Sequence, residues 1–179
     1  FYGPKGIGVL YIKKGTPIDS YIHGGGQEFG NRAGTENIAS IVGMRKAMEL
    51  AYKNIDINRN NIDTLRRMFI SDVLKNIPNC KINGSLDNTL PGIVNITFDG
   101  INAETLLLLL NAKDIYASAG SACSSHSNSP SRVLTAIGLS EKEANSSVRF
   151  SFGLMTTENQ LKYTVSALKD AVSYLRSFN

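Results

Sequence analysis

Residues 116–129 read YASAGSACSSHSNS, a stretch in which one cysteine, Cys123, is surrounded by serine, alanine and glycine. A cysteine that serves only for packing usually lies within an apolar run, whereas Cys123 lies in a polar one, where Gly120 adds backbone freedom. The composition predicts a loop that carries a thiol between two better-ordered segments. An ordinary polar turn with a chance cysteine remains an alternative.

A zinc site is a second alternative for this stretch, because His126 follows three residues after Cys123. The sequence contains one further cysteine, Cys80, and one further histidine, His23, at no recognised zinc spacing. We therefore expect no metal site. Two cysteines so far apart in sequence also predict no disulfide scaffold.

The residues after the cysteine stretch predict a short helix and then a strand. A proline at 130 and a glycine at 138 are typical of the two ends of a helix over residues 131–137. Ser140 and Glu143 have the spacing of a capping box. Residues 148–152 alternate, with Arg149 on the face opposite the apolar side chains. Such an arginine is commonly only solvated, because one face of an antiparallel sheet often meets water.

The residues before the cysteine stretch predict strands and a helix. Cys80 begins one strand, in which it should pack, and residues 93–98 alternate between the two faces of the next. Asn102 is a good cap for a helix whose five consecutive leucines, at 106–110, indicate burial on most sides. A short strand over residues 115–117 should lead into the cysteine stretch.

Helical periodicity marks two more segments. Residues 62–73 form an apolar pattern that ends before Pro78, and residues 157–178 carry one apolar stripe that should cover the sheet. Strands followed by helices, without strict βαβ alternation, predict an α+β domain. The polar, asparagine-rich residues 54–61 predict the boundary between two domains, which we place at residues 1–54 and 55–179.

The first 54 residues have a different texture. Residues 6–12 predict a short buried strand, and a glycine-rich segment then ends at Thr35, in front of a helix predicted for residues 36–53. Glycines and a hydroxyl beside a helix N-terminus suit an anion, and the same residues suit a simple N-cap at Thr35; one threonine can serve both purposes.

Composition and charge exclude several classes of function. The 179 residues carry 19 basic and 15 acidic side chains, a formal net charge of +4, without a dense basic tract. Phosphate-backbone binding needs positive charge focused on one face, so we expect no nucleic-acid partner. No run reaches the roughly 18 apolar residues that span a bilayer, and no signal segment is visible, so we expect a cytoplasmic protein without a membrane partner.

Five strings of the sequence together resemble the C-terminal part of the cysteine desulfurases. They are FYGPKGIGVLYI at 1–12, GGGQEFGNRAGTEN at 24–37, SAGSACSS at 118–125, PSRVLTAIG at 130–138 and NSSVRFSFG at 145–153. The resemblance implies the α+β small C-terminal domain of a fold-type-I pyridoxal phosphate enzyme, preceded by the tail of its α/β large domain. It also implies that the parent enzyme removes sulfur from L-cysteine, giving alanine and an enzyme persulfide.

The resemblance further assigns roles to three residues. Cys123 matches the loop nucleophile that becomes the persulfide, Arg149 matches the arginine that holds the substrate carboxylate, and Thr35 matches a threonine that contacts the cofactor phosphate of a partner subunit. His126 matches no family position. A homodimer is implied, with a sulfur-acceptor or iron–sulfur scaffold protein as partner.

The cofactor lysine of the family would fall just before Phe1, and Lys5 is not its counterpart. We therefore expect this chain alone to be inactive, whereas its parent enzyme is active. The strings GSACSS and RAGTEN resemble the nitrogen-fixation and iron–sulfur-cluster branch of the family. Alternative functions are a selenocysteine lyase, a class V aminotransferase, or a non-catalytic module that accepts sulfur or docks on a scaffold.

Overall fold

A computed structural model describes residues 1–87, 89–119 and 130–178. The chain divides into two compact units, Phe1–Ile55 and Asp56–Asn179. The second unit is a mixed domain in which helices pack on an antiparallel sheet, which confirms the α+β class predicted from the sequence.

The first unit contains a short 3-10 turn at Gln27–Gly30 and one long helix, α1, over Ile38–Lys53. The helix predicted for residues 36–53 is confirmed, but it begins two residues later than expected, and the alternative interpretation of Thr35 as its N-cap is wrong. Asn37 caps α1, because its Oδ1 accepts a hydrogen bond from the backbone N–H of Ser40 at 3.2 Å. Asparagine is among the strongest N-cap residues, and it lies closer to the first helical turn than Thr35 does.

Residues 6–12 do not form the predicted strand. Leu10 and Tyr11 are 74% and 87% exposed, although a buried strand would cover such side chains. A strand requires backbone hydrogen-bond partners along its length, and within the described residues no segment pairs with this one. The β-branched and aromatic composition was therefore not sufficient to define a strand here.

Helix α2, Ile55–Asn76, begins at the last residue of the first unit and otherwise belongs to the second, so most of the predicted boundary segment 54–61 is helical. The sheet of the second unit contains β1 (Cys80–Ile82), β2 (Ile93–Phe98) and β3 (Ser147–Ser151), all antiparallel, in the order β1-β2-β3. The other helices are α3 (Ala103–Asn111), α4 (Arg132–Ala136), α5 (Glu141–Asn145) and α6 (Glu158–Arg176).

The hydrophobic core lies between one face of the sheet and the helices α2, α3 and α6. Phe69 of α2 packs its ring against Phe150 and Phe152, with ring centroids 5.1 and 5.4 Å apart. Large side chains that are almost fully buried come from each of these helices and from two strands: Phe69, Val73, Ile96, Phe98, Leu106, Leu110, Val148, Leu168 and Val172. The predicted apolar stripe of the last helix therefore covers the sheet as expected.

Local signals placed most helix ends of the second unit correctly. Asn102 caps α3, and the Ser140–Glu143 capping box at the start of α5 is confirmed with both of its hydrogen bonds. Gly138 follows α4 at φ 93° and donates to the carbonyl of Thr135 at 3.0 Å, which is the left-handed ending that favours glycine. Each of these signals depends on one or two neighbouring residues, so no tertiary information was needed to read it.

The predicted strand over residues 115–117 is wrong. The backbone N–H of Ile115 donates to the carbonyl of Leu110 at 3.0 Å, which holds this segment to the end of α3 instead of in a ladder. Backbone pairing begins one residue later, where Ser118 forms an isolated antiparallel bridge with Arg149. Ser118 thus extends the sheet beyond β3 by a single residue pair.

Candidate functional site

The two faces of the sheet differ sharply in polarity. Alternation in β2 and β3 directs Val94, Ile96, Val148 and Phe150 into the core. The opposite face carries Asn95 and Thr97 of β2, which pair in register with Arg149 and Ser147 of β3. The sequence-predicted arginine therefore lies on a polar face, and the neighbouring strands continue that face on both sides.

A hydrogen-bond network on this polar face connects the residue that follows β1 with side chains of β2 and β3. Asn83, just after β1, donates from Nδ2 to Asn95 Oδ1 at 2.6 Å and to Ser147 Oγ at 3.1 Å. Its own Oδ1 accepts from Thr97 Oγ1 at 2.9 Å, and Thr97 Oγ1 also lies 2.8 Å from Ser147 Oγ. Because Thr97 and Ser147 are buried, these mutual bonds remove the cost of hiding polar groups from water.

Arg149 lies at the open end of this network and is half-buried. Its backbone is fixed on both sides: β2 pairs Asn95 with it, and its N–H and C=O exchange hydrogen bonds with Ser118 at 2.7 and 3.1 Å. Among the described residues no carboxylate pairs with its guanidinium. A half-buried guanidinium in neutral surroundings is suited to bind an anion such as a carboxylate.

Helix α5 covers the buried end of the polar face. Ser147 Oγ donates to the carbonyl of Glu143 at 2.6 Å, and the Glu143 carboxylate pairs with Lys81 of β1. Hydrogen bonds from Lys81 first, and then from Ser140, lower the pKa of Glu143 to about 2. Glu143 thus ties α5 to β1 beside the network, on the far side from Arg149.

The predicted nucleophile, Cys123, and its neighbour His126 lie outside the described residues. The described part of the 116–129 stretch ends with Ser118 and Ala119, of which Ser118 is the residue bridged to Arg149. In sequence, Cys123 follows Ser118 by five positions. The structure therefore brings the start of the cysteine stretch next to the predicted carboxylate-binding arginine.

Cys80 is the free cysteine that the structure describes, and it lies in β1 as predicted. Its Sγ donates to the carbonyl of Ile77 at 3.1 Å, and it packs against the hydrophobic core. Burial raises the pKa of the Cys80 thiol, which the charge of Arg176 offsets only in part. A protonated, half-buried thiol is a poor nucleophile, so Cys80 has a packing role.

Thr35 lies in the first unit and is exposed. Asn37 caps α1, so the Thr35 hydroxyl is not used for that purpose. The turn before it is held by Gln27, whose Oε1 accepts from the N–H of Gly34 at 3.2 Å, and Gly34 itself has φ 111°. An exposed hydroxyl after a glycine with left-handed backbone geometry fits one contact to a phosphate group.

Two further findings concern the described residues alone. Within the described ranges, no group of three or more histidine, cysteine, aspartate or glutamate side chains is arranged to hold a metal ion. No helix in the part of the chain that the structure describes combines the length and the apolar character required to cross a membrane.

Sequence reasoning missed the residues that surround Arg149. The alternation of residues 93–98 was predicted, but no role was assigned to its polar members, Asn95 and Thr97. The signal available was the spacing of Asn95 and Thr97, because two residues two positions apart in a strand lie on the same face. The hydrogen bonds from Asn83 depend on the register in which β1 pairs with β2, and that register cannot be deduced from the sequence.

Comparison with known proteins agrees with the motifs. The family profile described as aminotransferase class-V matches residues 1–164. A cysteine desulfurase IscS of Dictyoglomus turgidum is 46% identical over 179 residues, covering 100% of this chain and 45% of that protein. A cysteine desulfurase IscS of Methanosarcina thermophila is also 46% identical over 179 residues, covering 100% of this chain and 44% of that protein. The chain thus spans less than half the length of these relatives.

Solved structures give the same result. A NifS-like protein superposes with a TM-score of 0.86 at 34% identity, over 98% of this chain and 44% of that one. A NifS-like protein from Rickettsia africae has a TM-score of 0.76 at 31% identity, over 88% of this chain and 41% of that one. These findings confirm the resemblance to the cysteine desulfurases that the motifs indicated. Since the family profile matches most of its residues, the chain belongs to the aminotransferase class-V family.

Proposed function

We propose that this chain is the C-terminal part of a pyridoxal phosphate-dependent cysteine desulfurase. The observation that carries the proposal is the backbone bridge between Ser118, at the start of the cysteine stretch, and Arg149. Ser118 lies five positions before Cys123, the candidate sulfur acceptor, and it is paired with Arg149, the candidate substrate-binding residue. The 46% identity to proteins named cysteine desulfurase IscS supports the same activity.

Arg149 would bind the carboxylate of L-cysteine through a bidentate, charge-assisted pair of hydrogen bonds. No described carboxylate competes for its guanidinium, which leaves the group available to the substrate. The Ser118 bridge and the pairing with Asn95 fix the backbone of Arg149 on both sides. The substrate would therefore be held in one orientation relative to the sheet.

Cys123 would act as the sulfur acceptor. Its thiolate attacks the substrate sulfur, a sulfur–sulfur bond forms, the substrate carbon–sulfur bond breaks, and the carbon keeps the electron pair and takes up a proton to give alanine. The persulfide remains on Cys123 until an acceptor removes the outer sulfur. A free thiol has a pKa of about 8.5, so a cation that stabilises the thiolate would speed the attack.

Thr35 is the one residue of this chain that we assign to pyridoxal phosphate, and its surroundings are compatible with that role. The Thr35 hydroxyl is exposed and is not used to cap α1, so it would contact the cofactor phosphate. When bound, the cofactor supplies the electron sink that the carbon–sulfur cleavage requires. By analogy with the family, Thr35 would serve the cofactor of a partner subunit, which makes the enzyme a homodimer.

The wider setting follows from the same proposal. We place the enzyme in the cytoplasm, where reducing conditions keep the Cys123 thiol free. The sulfur would pass to an acceptor or scaffold protein for iron–sulfur cluster assembly. We assign residues 1–54 to the tail of the large cofactor-binding domain, and residues 55–179 to the small domain.

The test compares two cysteine variants of the full-length enzyme that contains this chain. Cys123→Ala should abolish sulfide release from L-cysteine in the presence of a thiol reductant, with the cofactor absorbance retained. Cys80→Ala is the matched control and should keep sulfide release within about twofold, because Cys80 only packs in β1. Normal turnover by Cys123→Ala would refute the assignment of the nucleophile.

A further inference from the structure

We propose that Asn95 forms part of the site that receives the substrate carboxylate, as a neutral amide donor beside Arg149. The inference rests on the function proposed above and adds a binding residue to it. Asn95 belongs to β2, whereas Arg149 belongs to β3, so the site would be shared by two strands of the sheet.

The register of the sheet places the two residues side by side. Asn95 and Arg149 are direct partners in the antiparallel pairing of β2 with β3. Side chains of directly opposed residues point to the same face, with their Cβ atoms about 4.5–5.5 Å apart. Both residues are half-buried, and they lie between the buried pair Thr97 and Ser147 and the exposed Ser151 on this face.

Asn83 determines the orientation of the Asn95 side-chain amide. The Asn95 Oδ1 accepts the 2.6 Å hydrogen bond from Asn83 Nδ2. Asn83 is itself held, since its Oδ1 accepts from Thr97 and its Nδ2 also donates to Ser147. The acceptor of Asn95 is therefore occupied, and among the described residues its Nδ2 hydrogens have no partner.

An occupied acceptor has a chemical consequence for Arg149. An amide oxygen turned toward the guanidinium would accept from it and compete with a bound carboxylate, and Asn83 prevents this competition by binding that oxygen. The Nδ2 hydrogens and the guanidinium are both donors, so the pair selects an acceptor that carries negative charge. The described residues next to Arg149 on this face, Ser118, Ser147 and Ser151, are also neutral. Lys81 of β1 lies on the same face opposite Thr97, and its charge is paired with Glu143.

Asn95→Asp provides the sharpest test, because it puts a carboxylate of nearly the same shape directly beside Arg149. That carboxylate would pair with the guanidinium and displace the substrate. We expect the KM for L-cysteine and the Kd for alanine to rise by at least about tenfold in the full-length enzyme, with kcat less affected. Asn95→Ala removes only the donor and should raise both constants about two- to fivefold.

Asn111→Asp is the matched control, because it makes the same amide-to-carboxylate change elsewhere in the domain. Asn111 is exposed at the end of α3 and does not belong to the polar face of the sheet. Its carboxylate should change the alanine Kd by less than about twofold, because water screens an exposed charge. Alanine binding is measured by calorimetry, and ethylamine, which lacks a carboxylate, should be unaffected by every variant.

The outcomes separate this inference from the proposed function. A wild-type enzyme that does not release sulfide, or an Arg149→Ala variant with unchanged alanine affinity, would count against the proposed function. If Arg149→Ala weakens alanine binding but Asn95→Asp does not, the role of Asn95 is overturned alone. A loss of kcat without a change in KM, or an equal loss for ethylamine, also overturns it. If Asn95→Asp does not fold, unchanged alanine affinity in Asn95→Ala overturns the inference and weakened affinity supports it.

Discussion

Arg149 shows how neighbours give a single side chain its chemistry. On most sheets an arginine at such a position would be solvated. The alternation of the strand predicted only which face of the sheet carries the Arg149 side chain. Two neutral partners flank its backbone, Asn95 on β2 and Ser118 beyond β3, and no described carboxylate neutralises it. The role that we assign to it depends on those surroundings, which lie far away in sequence.

We predict that Arg149→Lys raises the KM for L-cysteine in the full-length enzyme by about 10-fold or more, with a smaller change in kcat. Lysine keeps the positive charge but loses the planar pair of donors, and a hydrogen bond to a charged group contributes about 1.5–3 kcal/mol. Arg45→Lys, on the exposed surface of α1, is the control. Unchanged KM would return Arg149 to the solvated-surface interpretation.

Glu143 makes the stability of the second unit depend on pH. Lys81 and Ser140 lower its pKa from 4.5 to about 2, so the folded state favours the carboxylate. A lowered pKa stabilises the fold above the unfolded value of 4.5, and this contribution is lost as the pH falls toward 2.

We therefore expect Glu143→Gln to be less stable than the wild type at pH 6, with the difference shrinking between pH 4.5 and pH 2. Glutamine can keep the capping-box bond to Ser140, so the variant isolates the charge. Urea unfolding at a series of pH values measures the difference. Glu49→Gln, in the exposed pair with Lys46, is the control, and an equally large effect there would contradict this explanation.

At the scale of single elements, the sequence predicted helix types and caps well and strand pairing less well. The caps at Asn102, Ser140 and Thr157 depend only on neighbouring residues. Short spacing rules therefore predicted the first two caps and the helix that follows the third. Strands need distant partners, and residues 6–12 and 115–117 have strand composition without a described ladder. Composition alone does not say whether a partner is present.

The leucine run of α3 gives a further correction at this scale. Five consecutive leucines predicted a helix buried on most sides, yet Leu108 is 70% exposed while Leu106 and Leu110 are fully buried. A helix that packs on one layer presents only part of its circumference to the core, whatever side chains occupy the rest.

We predict opposite outcomes for two neighbouring alanine substitutions in this run. Leu106→Ala should lower the free energy of unfolding by about 2–5 kcal/mol, because it leaves a cavity in the core. Leu108→Ala should change it by no more than about 0.5 kcal/mol, since alanine and leucine have similar helix propensities. Chemical denaturation of both variants measures the contrast, and equal losses would mean that α3 is covered on both sides.

At the scale of the whole chain, the two units differ in how much core they contain. Within residues 1–55, all of which are described, Ala33 is the one buried apolar residue, whereas every other member of the buried apolar core lies in the second unit. Tyr21 and Phe29 are 94% and 100% exposed. Hydrophobic burial is the dominant stabilising contribution to folding, so the second unit should be the stable one.

We expect a fragment of residues 55–179 to fold cooperatively by itself and a fragment of residues 1–54 to lack a cooperative transition. Circular dichroism during heating of the two fragments tests this, with the 179-residue chain as reference. A single transition in the short fragment, or none in the long one, would contradict the division of the core.

The bridge between Ser118 and Arg149 has a consequence for how such proteins can vary. Two backbone hydrogen bonds hold Ser118 at the sheet, so the position of Arg149 does not depend on how many residues follow Ser118. Insertions or deletions after this point would change the reach of Cys123, the proposed nucleophile, without moving the proposed carboxylate site at Arg149. Under the proposed function, evolution can therefore adapt sulfur delivery to acceptors of different size while substrate recognition stays the same.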